Sequence, residues 1–247
     1  MSSKKEFLGL FQHKKPIIAM IHLKGDTQEK IQQRAKEEIA IFVEEGVDCI
    51  MMENYYGDYV QLEKAIQYIV SLKLSIPIGV NCLNVDSMGF YLANKYNLDI
   101  VQVDSVVGHV KPRDEATLQA FFDLERAKTK ACLIGGVRFK YQPMLSEKSL
   151  KEDIEIAKTR CDAIAVTQNA TGEETSIEKI QEFRDTLGDF PLIVAAGVTD
   201  ENVTKQLAIC DAAIVGSNFK DTRKDTGEVS RDHVRHFMSI VKEYRGV

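Results

Sequence analysis

The strongest constraint in this chain is an alternation: eight short, nearly continuous apolar runs, each followed by a segment with helical periodicity, at a spacing of about 31 residues. The first run, PIIAMIHL, is too brief for a helix and ends at His22. Asp26 to Glu29 can cap a helix in which Ile31, Ala35, Ile39, Phe42 and Val43 share one face, and Gly46 supplies a left-handed stop. Cys49 to Met52 forms the second run, closing on Glu53 and Asn54 ahead of a helical face of Leu62, Ala65, Ile66 and Ile69. Ile76 to Val80 closes on Asn81, with Met88, Leu92 and Tyr91 expected inward on the next helix and Asp86 as its cap. Ile100 to Val103 closes on Asp104 and Ser105, and the loop GHVKPRD leads to a helix bearing Leu118, Phe121, Phe122 and Ala127. The fifth run is read as Ala131 to Phe139, followed by a helix marked by Leu150, Ile154 and Ala157. Ala163 to Val166 is followed by a loop dense in hydroxyls and amides, then by Ile177, Ile180, Phe183 and Leu187 in register. Two more units follow, and the last helix carries Val234, Phe237, Met238 and Val241 on one face.

Continuous apolar strands imply a parallel sheet buried on both faces by helices. An open doubly wound sheet is the rival arrangement, but eight evenly spaced units suit closure into a (β/α)8 TIM barrel. The expectation is one barrel domain over residues 1–247, with residues 1–14 as an N-terminal extension and disorder confined to its first few residues. A formal charge of −5 with acids and bases interspersed leaves no basic footprint, so nucleic acid is not an expected partner. The N-terminal segment lacks the apolar stretch of a signal peptide and no run reaches membrane-spanning length, so a cytoplasmic location is expected. Five cysteines, an odd number without CxxC spacing, lie in or beside apolar runs and are read as buried thiols; no metal site or cofactor is expected. A homo-oligomer is possible for a barrel of this size.

In such a barrel the chemistry lies where strands end, so the informative residues are the polar ones directly after the apolar runs. They are His22, Glu53, Asn81, Asp104, Lys140, Gln168 and Thr199. Loops are polar for ordinary reasons, because Asp, Asn and Ser cap helices and form turns. Glu53 stands out, since glutamate is neither a preferred N-cap nor a turn former; it could act as a general base on a carbon beside a carbonyl. Asp104 could be its acid or base partner, and His22 could shuttle protons or simply donate into a loop. Arg138 and Lys140 alternate with Val137 and Phe139, which would place both cations on one side of a strand to neutralise an anion, or let Lys140 form a Schiff base. An exposed strand end would explain them equally well. Asn81 could orient sugar hydroxyls. His109, His233 and His236 show no metal spacing, and the last two are expected to be solvated.

Two apolar runs near the C-terminus end in glycine loops, at Gly197-Val198-Thr199 and at Gly216-Ser217. Loops after strands 7 and 8 of a barrel often hold phosphate through backbone N–H groups, although glycine also just lets a chain turn. Asp200 and Glu201 are placed in the first turn of the seventh helix, where carboxylates would compete with an anion. The eighth loop is therefore expected to dominate, with a short helix at Gly216 to Lys220 offering backbone donors, the Ser217 hydroxyl and Lys220, and with Gly197 and Val198 assisting. Gln168, Thr171 and Gly172 in the sixth loop complete the expected binding residues.

The ordered series IHL, GVDCIMMENYYGD, GVNCLNVD, VTQNATGEE, AAGVTDENV and DAAIVGSNFKDTRK resembles the BtpA/SgcQ family of barrel proteins, from about residue 16 to about residue 241. The resemblance implies a TIM barrel with a phosphate site. The family's founding name comes from a role in photosystem I biogenesis, while bacterial relatives accompany sugar metabolism and are labelled phosphoribosylanthranilate isomerase-like. Phosphoribosylanthranilate isomerases use a cysteine at the end of strand 1 and an aspartate at the end of strand 5. Here those ends hold His22 and the segment Arg138 to Lys140, which disfavours that isomerisation.

Two functions therefore stand side by side. One is an enzyme acting on a small phosphorylated sugar or related metabolite by isomerase or aldolase chemistry, and the other is a non-catalytic assembly or stability factor. An enclosed polar pocket at the barrel mouth holding an ordered anion favours the first; a mouth filled by side chains such as Tyr55, Tyr56 and Tyr141 favours the second.

Overall fold

The computed structural model describes residues 6–108, 114–142, 144 and 147–247, so His109 and most of its loop lie outside the described residues. The eight strands are β1 (Ile17–Ile21), β2 (Cys49–Glu53), β3 (Ile78–Asn81), β4 (Ile100–Val103), β5 (Cys132–Gly136), β6 (Ala163–Val166), β7 (Leu192–Val194) and β8 (Ala212–Val215). They pair in parallel, each with its sequence neighbours, and β1 closes on β8. Between and after them run α1 (Gln28–Glu45), α2 (Tyr59–Ser71), α3 (Asp86–Tyr96), α4 (Glu115–Lys128), α5 (Leu150–Arg160), α6 (Ile177–Leu187), α7 (Val203–Ile209) and α8 (Arg231–Arg245). The molecule is a (β/α)8 TIM barrel, and every strand residue is buried.

The two faces of each strand belong to different cores. Residues pointing outward, such as Ile17, Ala19 and Ile21 of β1, pack against the helix stripes. Inward residues form a second cluster that includes Ile18, Met20, Cys49, Met51, Ile100, Ile134, Ile193 and Ile214. Phe7, on a 3-10 turn at Phe7–Leu10, joins this inner cluster, so part of the segment expected to be a mere extension packs into the barrel interior. All five cysteines are buried free thiols.

Four aspartates set the register at the strand starts. Asp48, Asp99, Asp162 and Asp211 each directly precede an even-numbered strand. Their carboxylates accept from the first strand N–H of the preceding odd strand or its neighbour: Ile17 at 2.8 Å, Ile78 at 3.1 Å, Leu133 at 2.8 Å and Leu192 at 3.0 Å. Each aspartate's own N–H donates back to the carbonyl of that same residue. Strand starts thus have donors satisfied by charged acceptors. Three of the carboxylates are also held by arginines: Asp48 by Arg245, Asp162 by Arg126 and Asp211 by Arg184.

Several local expectations are corrected. β5 stops at Gly136, and Arg138 adopts a φ of 49°, so the strand alternation meant to align Arg138 with Lys140 does not extend to them. Arg138 turns away and donates to Asp153 at 3.1 Å and to the Lys148 carbonyl at 3.0 Å. α7 begins only at Val203, so Asp200 and Glu201 precede it rather than forming its first turn. Asp86 is the first residue of α3, with Val85 at the N-cap, and Tyr91 is exposed. His233 is part-buried, its Nδ1 lying 2.8 Å from the Lys220 carbonyl, whereas His236 is exposed.

Candidate active site

Inward residues recur every second position along a strand, and the pattern continues into the strand ends. After Ile18 and Met20 comes His22; after Cys49 and Met51 comes Glu53; after Ile100 come Gln102 and Asp104. Asn81 pairs with Glu53 on one side and Gln102 on the other. This register gathers the expected residues into one buried polar group. Asn81 Nδ2 donates to Glu53 Oε1 at 2.9 Å and to Asp104 Oδ1 at 3.1 Å, and Gln102 Nε2 donates to Asp104 Oδ1 at 3.2 Å. Asn81 is thus placed to hold the two carboxylates, and it does not line the cavity. His22 Nε2 stands 3.6 Å from Glu53 Oε2.

Burial sets the protonation of this group. It raises Glu53 to about 7, with the charge of Asp104 adding to the effect and Lys140 and Asn81 opposing it. It also raises Asp104, against hydrogen bonds from Gln102 and Asn81 and the charge of Lys140. His22 is lowered to about 3 by burial and by the nearby Lys220 and Lys140 charges, so its ring is neutral at ordinary pH. The His22 ring packs on Tyr55 with centroids 5.0 Å apart, and Tyr56 meets Tyr55 edge-on at 4.8 Å.

Above this group lies a cavity of about 190 Å³, lined by His22, Glu53, Gln102 and Lys140 on one side. The loops after β6, β7 and β8 form its other side, through Thr171-Gly172, Ala195 to Thr199, Glu201 and Gly216 to Asn218, so the Glu201 carboxylate does share this side as expected. Gly197 is required there. Its φ is 62°, and a Cβ would stand 2.3 Å from the Glu173 carbonyl oxygen. A Cβ on Gly216 would press on the His22 ring at 3.1 Å. Asn202 ties the seventh loop by accepting from Thr199 N at 2.8 Å and donating to the Gly197 carbonyl at 2.9 Å. Tyr55, Tyr56 and Tyr141 do not line the cavity: Tyr55 OH lies 3.5 Å from Thr171 Oγ1, Tyr141 OH accepts from Thr171 N, and Tyr56 OH donates to Asp225.

The cation at the glycine loops is not the expected one. Lys220 is 1% exposed and donates to the buried Glu38 at 2.9 Å, away from the cavity. Burial and an ion partner on α1 account for that side chain. Arg223, which sequence reasoning passed over, lines the cavity instead. It is held by Asn218 Oδ1 at 2.7 Å and by Asp200 Oδ2 at 2.8 Å. Asp200, which also accepts from Asn218 at 2.9 Å, is thereby offset by a cation rather than left to oppose an anion. Gln168 is another correction: its Oε1 accepts from Ser176 N at the start of α6, and the residue does not line the cavity. Gln102 was also missed. Its only signal is a lone polar residue at an inward position of an apolar strand.

Fold and site define the class: a TIM barrel with a carboxylate-bearing cavity at the C-terminal ends of its strands. Within that class, the chain belongs to the BtpA family, whose profile it matches over residues 13–243. An uncharacterised protein of Pyrococcus abyssi is 27% identical, over 94% of this chain and 98% of its own length. The photosystem I biogenesis protein BtpA of Synechocystis is 21% identical, over 85% of this chain and 82% of its own. Among solved structures, phosphoribosyl anthranilate isomerase from Thermus thermophilus superposes with a TM-score of 0.64 at 12% identity, covering 93% of this chain and all of that one, a likeness of fold alone. Among the described residues, no helix is long and apolar enough to cross a membrane.

Proposed function

We propose that this protein is an enzyme acting on a small phosphorylated sugar or related metabolite, with Glu53 as the proton-transferring base in isomerase or aldolase chemistry. The observation that carries the reading is Glu53 itself: a carboxyl tuned to about 7, lining the same cavity as Lys140 and three converging glycine loops. A base poised near neutrality suits removal of a proton beside a carbonyl. The Lys140 ammonium, in the same cavity, would offset negative charge developing on the carbonyl oxygen. The phosphate would lie against Gly197, Val198, Gly172 and Thr171, with Gly216, Ser217 and Arg223 supplying the eighth-strand side.

A non-catalytic assembly role is supported by the name of the Synechocystis relative. A cavity bearing Glu53 and Lys140, and lined by none of Tyr55, Tyr56 or Tyr141, favours the enzyme reading over it. The test is a thermal-shift screen with phosphosugars. Ser217→Glu should abolish any shift that the unaltered protein shows, because a carboxylate would occupy and repel the anion position; shifts that persist would remove the phosphate assignment.

A further inference from the structure

Gln102 lines the cavity with its hydrogen bonding half complete. It is 5% exposed, and its Nε2 is engaged by Asp104 at 3.2 Å. Its Oε1 is buried and has no partner among the described residues. The direction of the amide follows from its neighbours. Asp104 accepts from Asn81, and Asn81 also donates to Glu53, so the two carboxylates take donors from both amides. That arrangement turns the NH₂ end of Gln102 to Asp104 and leaves the acceptor end over.

A buried acceptor without a partner is unfavourable, and because the Gln102 side chain lines the cavity, a small turn that brings Oε1 to the cavity surface would let a ligand donor relieve it. His22 supplies a parallel observation: it lines the same cavity, and its Nδ1 is likewise buried without a partner. Both unmatched atoms belong to the residues grouped around Glu53, not to the glycine loops where the anion is assigned. Polar demand of this kind fits the hydroxylated end of a ligand rather than its phosphate.

We propose that Gln102 Oε1 accepts a hydrogen bond from the hydroxyl on the carbon that Glu53 deprotonates, so that the protein selects α-hydroxy-carbonyl phosphates over their 2-deoxy counterparts. The inference rests on the function proposed above and names the substrate class for that site. A site built around an acceptor for a substrate hydroxyl discriminates against the analogue lacking it, because the acceptor then stays unpaired.

The experiment is calorimetric titration of the full chain with ribose 5-phosphate, 2-deoxyribose 5-phosphate and inorganic phosphate, for the unaltered protein and for Gln102→Leu. The unaltered protein should bind ribose 5-phosphate about tenfold more tightly than the 2-deoxy sugar, the size of one hydrogen bond. Gln102→Leu should bring that ratio close to one by weakening ribose 5-phosphate alone, with inorganic phosphate bound equally by both proteins. A ratio near one in the unaltered protein, or a preference retained in Gln102→Leu, overturns the inference. If inorganic phosphate binds but the sugars are not distinguished, the hydroxyl assignment fails while the phosphate assignment stands; if neither the sugars nor phosphate bind, both fall. Should Gln102→Leu not fold, the ratio in the unaltered protein decides alone.

Discussion

Glu53 shows how one carboxyl links site and stability. Folded, it titrates near 7, against an ordinary value of 4.5. Between those values the folded chain holds a proton that the unfolded chain has released, so this group makes stability fall as pH rises through that window. His22 works in the opposite sense: with a folded value near 3 against 6.5, it costs stability as pH falls through its own window. Glu53→Gln should therefore abolish turnover while preserving the Asn81 contact, and should be more stable than the parent at pH 8 by up to about 3 kcal/mol, an advantage fading toward pH 4.5. Urea unfolding at several pH values checks the stability, and a constant difference across pH would count against a raised Glu53. In the parent, kcat/KM should climb through about pH 7 as the carboxylate forms, which a pH–rate profile reads directly.

Element ends show how far local pattern can be read. His22, Glu53, Asn81 and Asp104 were legible because polar residues closing apolar strands must sit at one end of a barrel. Gly197 was legible as a loop glycine, but its need is tertiary: the sixth loop runs so close that a Cβ would meet Glu173 backbone. Gly197→Ala should consequently cost about 2–4 kcal/mol, combining left-handed strain with a backbone clash. Gly46 is a useful contrast. It closes α1 at a φ of 79° with its nearest neighbour a flexible Lys242 ammonium at 3.6 Å, so Gly46→Ala should cost only about 1 kcal/mol. Equal losses for the two variants in denaturant unfolding would remove the packing role given to the seventh loop. The strand-5 reading failed because Val137 and Phe139 look like strand residues, yet the chain leaves the sheet at Gly136 and turns at Arg138.

Closure of the whole barrel depends on contacts that are remote in sequence. Arg245, in the last turn of α8, donates to Asp48 at 2.6 Å and to the Lys15 carbonyl at 2.7 Å, while Asp48 caps the first N–H of β1. Both side chains are buried. Arg245→Met should destabilise by about 3–5 kcal/mol by removing the buried cation and leaving the Asp48 carboxylate to His13 and the Ile17 N–H, and Asp48→Asn combined with it should recover part of that loss. Strict additivity of the two changes in urea unfolding would show that the pair is not coupled.

The sequence by itself determined the architecture, because burial of a strand on both faces and of a helix on one stripe leaves period-two and period-3.6 signatures in every short window. It also determined which strand ends bear the inner polar group. Only the tertiary structure decided which cation faces the cavity. Lys220 and Arg223 lie three residues apart in one polar segment, and nothing local separates them. Lys220 is drawn inward by Glu38, 182 positions away, and Arg223 is left to the cavity beside Asn218 and Asp200. The fourfold aspartate register escaped sequence reading for the same reason: each carboxylate acts on the strand before it, and a single residue carries no sign of a partner folded against it from elsewhere in the chain.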